Sequence, residues 1–387
     1  SQIEAAQSKF PEFIDFAKRL RVIEESSDDL ESGMKHNRTS LLVKPDERRV
    51  QEGFLRAPLE VGIEISSRCQ LRCIHCYGSF DYRPPNNELS DMEIFGIIDQ
   101  LDKLGNFAVF VGGGEPTIHP SFFDICKSIL SKDMNVVVSS NGQNIDEKAA
   151  QSFADLGSYV GVQISMEGPN EKVNDAMRGR GSFKKAVRGL KFLQEAGLNP
   201  TIGTTITSIN YNAVEGMVNF AHDLGVPHVH FMCLMPSGRG DLLYERLKLT
   251  AEQRIWLTCE MRRLKEKHKG SIGLDCANFY QQPPSKHFDP DKAYDAVDKV
   301  YAGCEASRVK AVITSTGDVV GCEIIRNYIA GNIREKSFQE IWEDREIFGM
   351  IRRRNAKTLE GKCNSCRYLV ACVGDCPSYS IQHGKSF

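Results

Sequence analysis

The rhythm of apolar and polar positions changes at about residue 56. Before it, residues 1–55 are polar and charged, with one amphipathic helical stretch near residues 10–24 and a short hairpin predicted over 41–54 around Pro45 and Asp46. After it, short apolar runs alternate with helix-period stretches. The runs predict strands at 61–65, 108–111, 135–138, 160–164, 201–206 and 228–233. Helices are predicted between them near 91–104, 121–131, 147–156, 183–196 and 213–224, with a longer one at 249–268. Strand-then-helix units of this kind predict a parallel sheet with covered faces. Pattern alone leaves open whether that sheet is doubly wound or curls toward a barrel. The polar, proline-rich stretch 281–290 reads as a boundary, and 300–387 is cysteine-rich and too short to build a large core without bound metal. The expected organisation is an N-terminal extension over 1–55, a core over 56–290 and a cysteine-rich domain over 291–387.

Composition narrows the class. With 41% hydrophobic residues and a net charge of −2, nothing marks a nucleic-acid or membrane partner. The apolar runs are too short to span a bilayer, and the first ten residues lack the apolar stretch of a secretory signal. The start at Ser1 is expected to reflect trimming. A reducing cytoplasm is the expected location. Of thirteen cysteines, nine fall in two groups: Cys69, Cys73 and Cys76, then Cys304, Cys322, Cys363, Cys366, Cys372 and Cys376. Grouped thiols in a chain of this length point to metal rather than disulfides, whereas Cys126, Cys233, Cys259 and Cys276 read as buried packing.

The first group directly follows the first predicted strand. Three thiolates within eight residues can each bind a different iron of one [4Fe–4S] cube and leave the remaining iron open. A structural zinc site normally takes four protein ligands. Further on, Gly112-Gly113-Gly114-Glu115-Pro116 follows the second strand; its glycines allow close backbone approach, and Glu115 can accept from an ammonium group. Ser140 and Asn141 end the third strand, and Ser165 and Glu167 end the fourth. Hydroxyl binding and simple turn capping both suit such residues.

The C-x3-C-x2-C spacing followed by Tyr77, placed after strand one of six β/α units, resembles the signature of radical S-adenosylmethionine (radical SAM) enzymes. The resemblance implies an α/β fold, a partial (β/α)6 TIM-like barrel. It also implies that the open iron chelates S-adenosylmethionine, which is reductively cleaved to a 5′-deoxyadenosyl radical that takes hydrogen from a substrate. On the same basis Gly113, Gly114 and Glu115 match the element that binds the methionyl amino group. Ser140, Asn141, Ser165 and Glu167 fall near the ribose, and Arg178 matches an arginine that meets the cofactor carboxylate, with a solvated arginine as the competing reading. Met235, in Met235-Pro-Ser-Gly-Arg-Gly240, falls near the adenine, and Tyr77 near the cofactor.

The pattern Cys304, Gly317-x4-Cys322, then Cys363-x2-Cys366-x5-Cys372-x3-Cys376 resembles the SPASM domain, which carries auxiliary iron–sulfur clusters in a subset of these enzymes. The resemblance implies one or two auxiliary clusters, with Cys304, Cys322 and Cys376 on the first and Cys363, Cys366 and Cys372 on the second. The family pattern has a further downstream cysteine that is absent before Phe387, and Cys276 is a candidate fourth ligand of the first. Glu323 stands where related enzymes place a proton-accepting carboxylate; a surface glutamate is the other reading. The expected substrate is a ribosomally made precursor peptide, cross-linked, oxidised or epimerised. Alternatives are a small molecule such as an aminocyclitol sugar or a tetrapyrrole, and, from another class, a non-catalytic iron–sulfur or zinc protein. A peptide predicts an open groove and a small molecule a closed polar mouth. The reading also calls for a reductase or a flavodoxin- or ferredoxin-type electron donor. Oligomeric state is not readable.

Overall fold

Every strand predicted from an apolar run forms. They are β1 (Glu60–Ser66), β2 (Ala108–Gly113), β3 (Asn135–Ser140), β4 (Val160–Ser165), β5 (Thr201–Ile206) and β6 (His228–Cys233). The computed structural model describes residues 54–277, 304–354, 359–363, 365, 366, 374 and 376–379. The helix near 10–24, the hairpin over 41–54 apart from Phe54, and the linker at 281–290 lie outside those residues. Between the strands run α1 (Asp91–Leu104), α2 (Phe122–Leu130), α3 (Glu147–Ala154), α4 (Glu171–Arg178), α5 (Ser182–Glu195) and α6 (Val214–Asp223). Then follow α7 (Gly238–Leu242), α8 (Tyr244–Leu247), α9 (Ala251–Lys267) and a seventh strand, β7 (Gly273–Ala277).

Local chemistry starts and stops these helices. Ser90 and Glu93 form a capping box at the start of α1, and Gly105, at φ 76°, ends it in the left-handed conformation. Thr250 and Gln253 cap α9 in the same way. Three strands alternate strictly: in β3, β5 and β6 every second residue is buried. Val136, Val138, Ile202, Ile206, Val229 and Phe231 are at most 1% exposed and join the main core with α1, α2 and α5 residues such as Ile98, Ile125 and Leu190. Each such side chain contributes about 2 kcal/mol on burial.

On the other face the burial is partial. Val137, Ser139, Gln163, Thr205, His230 and Met232 on it are only half-buried. In a sheet that curls, the inner face surrounds space rather than a second helix layer, so its side chains keep partial access to solvent.

Among the described residues the sheet has ten strands in the order β10-β9-β8-β1-β2-β3-β4-β5-β6-β7, where β8 is Lys310–Ile313, β9 Asp318–Val320 and β10 Ile329–Asn332. From β8 through β1 to β7 all pairings are parallel, and β8-β9-β10 is an antiparallel turn-back at one edge. Residues Lys310, Ala311, Val312 and Ile313 pair with Glu60, Val61, Gly62 and Ile63. The cysteine-rich region therefore extends the same sheet, with the β8–β9 turn beyond the C-terminal end of β1 and the loop after β9 starting back beside Lys310, opposite Glu60. Two short helices, α10 (Phe338–Trp342) and α11 (Ile347–Arg353), complete this part. Arg352, 1% exposed, sits 3.6 Å from the Phe54 ring centroid and 4.7 Å from that of Trp342, and donates to Ser307 O at 2.6 Å.

Candidate active site at the strand ends

The loop leaving β1 carries the first three thiols, and backbone bonds set its path. Cys69 N donates to Asp81 O at 2.8 Å and Cys76 N to Cys73 O at 3.3 Å. The glycines after β2 are needed here. A Cβ on Gly113, which has φ +112°, would stand 2.3 Å from Ser66 O, and one on Gly114 would stand 2.3 Å from Arg68 O. The close approach they allow in this structure is that of the protein's own loop.

The turn after β6 closes over the loop from the other side. Arg239 donates from Nε to Cys73 O at 3.0 Å and from Nη2 to Phe80 O at 2.7 Å. Gly240 N donates to Cys76 O at 3.3 Å. Gly238, at φ +54°, admits Tyr77 O where a Cβ would lie 2.3 Å away. Arg239 is thus a brace of the thiol loop. Met235, 4% exposed, lies at the start of this turn.

Two buried carboxylates organise the ends of β2 to β5. Glu115 is fully buried; its Oε1 accepts from Thr117 N and Oγ1 and from Ser140 Oγ, and its Oε2 accepts from Asn141 N at 2.6 Å. Burial pushes its carboxyl up despite these donors. Asn141 in turn donates to Cys69 Sγ at 3.8 Å and exchanges contacts with Gln70. Ser140 and Asn141 are thereby committed to Glu115 and the thiol loop.

Glu167, 1% exposed, accepts from Arg178 Nε and Nη2, both at 2.9 Å, from His75 Nε2 at 3.0 Å and from Thr205 N at 2.6 Å. Burial alone would raise its carboxyl; His75 and Arg178 more than reverse that and hold it below the usual range. Arg178 is no solvated arginine: its side chain is 10% exposed. Its charge also acts on Cys73. Ser165, at the end of β4, is half-buried beside this group.

The fit of an iron–sulfur cluster can be judged from the donors present. Burial pushes the Cys69 thiol up to about 12, and Glu115 and the neighbouring thiolates add to it. Burial likewise raises Cys73. Neighbouring buried thiols such as Cys69 and Cys73 need a cation to ionise together, and cluster irons would provide that charge. His75 Nδ1 is buried without a hydrogen-bond partner, a polar atom left over at the same place. Glu115 Oε2, with one donor, keeps a free acceptor position. The residues fit the group.

In the C-terminal region, Cys304 and Cys322 meet with Ala306, Ile325 and Ile351 in a small apolar cluster. Burial raises both thiols. Cys376 Sγ lies 3.2 Å from Ser378 Oγ. Cys363 is exposed and Cys366 N donates to Cys363 O at 3.1 Å in one turn. Cys372 lies outside the described residues, as does the side chain of Cys276, whose backbone belongs to β7. Glu323 pairs with Lys310 at 3.1 Å; burial would raise its carboxyl, but Lys310 holds it below the usual range, which weakens it as a base.

Sequence reasoning missed two partnerships. Arg326 forms a bidentate pair with Glu64, Nη1 to Oε1 at 2.5 Å and Nη2 to Oε2 at 2.9 Å. His75 pairs with Glu167 although it stands between two candidate ligands. The available signal for the first was a carboxylate inside the apolar run of β1; nothing local marked Arg326.

Comparison with known proteins accords with this geometry. Residues 63–221 match the model of the radical SAM superfamily, and residues 304–367 match that of SPASM, an iron-sulfur cluster-binding domain. The mycofactocin maturase MftC of Mycolicibacterium smegmatis is 34% identical over 86% of this chain and 82% of its own length. The AdoMet-dependent heme synthase of Methanosarcina barkeri is 28% identical over 82% of this chain and 91% of its own. Streptococcus suis SuiB, solved bound to precursor peptide SuiA, superposes with a TM-score of 0.71 at 21% identity, covering 99% of this chain and 87% of that one. With a thiol loop at the mouth of a parallel sheet and a second thiol region continuing that sheet, the chain belongs to the radical SAM enzymes that carry a SPASM domain, with [4Fe–4S] clusters and S-adenosylmethionine as their cofactors.

Proposed function

We propose that this enzyme is a maturase that modifies a ribosomally made precursor peptide. Cys69, Cys73 and Cys76 would hold the catalytic cluster, and Cys304, Cys322, Cys363, Cys366, Cys372 and Cys376 the auxiliary ones. When bound, the catalytic cluster and S-adenosylmethionine supply reductive C–S cleavage and hydrogen-atom abstraction. The chain's own residues position and shield. Glu115 Oε2 offers an acceptor for an ammonium group, and Arg178, already beside Cys73, a cation for a carboxylate. Arg239 keeps two loop carbonyls turned away from the reaction space. Tyr77, Ser140, Asn141, Ser165, Glu167 and Met235 line or brace the same mouth. Glu323 stays a candidate proton acceptor only if its pairing with Lys310 opens.

The observation that carries the peptide reading is the 34% identity to a mycofactocin maturase across 82% of its length. The half-exposed inner face of the sheet, among the described residues, suits an extended chain. The second reading, a tetrapyrrole substrate, rests on the heme synthase relative at 28% identity. The test is anaerobic incubation of the reconstituted enzyme with S-adenosylmethionine, dithionite and either a precursor peptide encoded nearby or an iron porphyrin. A peptide mass change with matched 5′-deoxyadenosine is expected. Turnover of the porphyrin alone would reverse the assignment. In the cell a reductase or a flavodoxin- or ferredoxin-type protein would supply the electron, in a reducing cytoplasm.

A further inference from the structure

The loop between β9 and β10 does more than carry Cys322. Within four residues it makes three contacts that run from the start of β8 to the sheet mouth. Glu323 pairs with Lys310 on β8. The Ile324 carbonyl lies 3.2 Å from Ser237 Oγ, which also lies 2.9 Å from Tyr77 O, so one hydroxyl proton is shared between the two loops. Arg326 reaches Glu64, whose side chain is 3% exposed on the inner face of β1. The same guanidinium lies 5.9 Å from the Tyr77 ring centroid and 5.6 Å from that of Phe80, and those rings meet edge-on at 5.3 Å. Tyr77 directly follows Cys76, and Phe80 O is the acceptor of Arg239. Of these residues, Tyr77, Ser237, Ile324 and Arg326 line a cavity of about 270 Å³ between the two loops.

We infer that Arg326 is a positioning residue that locks the thiol loop Cys69–Cys76 to the loop carrying Cys322, so that metal occupancy at Cys322 and the geometry of the catalytic loop are coupled. The lock has the required form. One end is anchored where Cys322 would bind the auxiliary cluster. The other ends in a planar, two-point ion pair on a rigid strand, with two aromatic rings of the catalytic loop against its face. A flexible ammonium in place of the guanidinium could keep the charge but not the two-point geometry. Reciprocity follows: whatever orders one loop stiffens the other. This inference rests on the proposed assignment of Cys69, Cys73 and Cys76 to the catalytic cluster and of Cys322 to an auxiliary one.

The test uses the full chain with reconstituted clusters, and compares Arg326→Gln, Arg326→Lys, Cys322→Ala, the double variant Arg326→Gln/Cys322→Ala and the reversed pair Glu64→Arg/Arg326→Glu. Hydrogen exchange of backbone amides in residues 69–82 and the EPR line shape of the dithionite-reduced catalytic cluster are read beside iron content. Arg326→Gln is expected to speed exchange in 69–82 about tenfold and to shift the line shape at unchanged catalytic-cluster iron; Arg326→Lys should recover part of both. Cys322→Ala should speed the same amides, yet add nothing once Arg326 is Gln, because both act through one link. Should the reversed pair fold, it restores slow exchange. Additive effects of the two substitutions, or unaltered exchange in 69–82 on losing Cys322, would overturn the inference. Failure of the underlying assignment shows separately, as cofactor cleavage that survives loss of Cys69, Cys73 and Cys76.

Discussion

The two thiol regions are held in different ways. Around Cys69, Cys73 and Cys76 the protein supplies the order: the Gly113-Gly114 backbone, the Arg239 brace and the Glu115 and Glu167 networks each touch the loop or its ends. Around the C-terminal thiols much less is supplied. Among the described residues, Cys304 and Cys322 share a small apolar cluster with the buried Ala306, Ile325 and Ile351 and the half-buried Ile324 and Tyr328, and Cys363 stands exposed. A preformed loop can exchange its cofactor without unfolding. Where the thiols have so few apolar neighbours among the described residues, bound metal would add stability of its own, and folding and metal binding are expected to be linked there. The contrast separates a site built to turn over from one built to stay loaded.

Alanine at Cys69, Cys73 and Cys76 together probes the first half of that contrast and carries the largest expected effect. Formation of 5′-deoxyadenosine should fall to background, while the melting temperature of the cluster-free protein changes little, since the loop's supports are elsewhere. Replacing Cys363 and Cys366 tests the second half. Here the expected loss is in folding, on the order of several kcal/mol of metal-linked stability, seen as protease cleavage C-terminal to β8 with the β1–β7 portion surviving. Equal protease resistance in loaded wild type and variant would erase the distinction.

Gly113→Ala tests the brace itself. At φ +112° with Ser66 O 2.3 Å from the new Cβ, the substitution strains both strand end and loop; a loss of about 3 kcal/mol in urea unfolding is expected. Arg239→Ala removes two charged donors from the Cys73 and Phe80 carbonyls and should cost about 2 kcal/mol, with faster loss of iron from the catalytic cluster in chelator. The smallest effect is electrostatic. Asp175 is partly buried, which raises its carboxyl, yet donors from Phe183 N, Gly181 N, Ser182 Oγ and Asn174 hold it below the usual range. Its contribution is therefore complete above its unfolded pKa and is lost as pH falls through the lower folded one. The stability difference between wild type and Asp175→Asn should be flat near neutral pH and shrink in strong acid, by equilibrium unfolding across pH.

Legibility followed element length and self-sufficiency. The strands of the core could be read because each is an apolar run bounded by turn residues, and the helices α1 and α9 from their helical pattern, to which the structure adds the Ser90-x-x-Glu93 and Thr250-x-x-Gln253 capping boxes. The helix α4, EKVNDAMR, escaped prediction because its residues are mostly polar; it is held instead by the Asn170 cap and by Asn174 and Met177 turned inward. The strands β8, β9 and β10 have four, three and four residues, too few for a period to show. They form because β1 offers an unpaired edge.

At the site the same division holds. Three thiols within eight residues can each reach a different iron of one cluster; that possibility is a property of local covalent spacing and was open to reading before any fold was known. Which groups steady those thiols is not. Gly113 and Gly114 make room for the loop backbone, Asn141 turns to Cys69, and Arg326 finds Glu64 across 262 positions of chain. Such pairings depend on which strand ends lie side by side, and only the folded sheet brings them within hydrogen-bond reach.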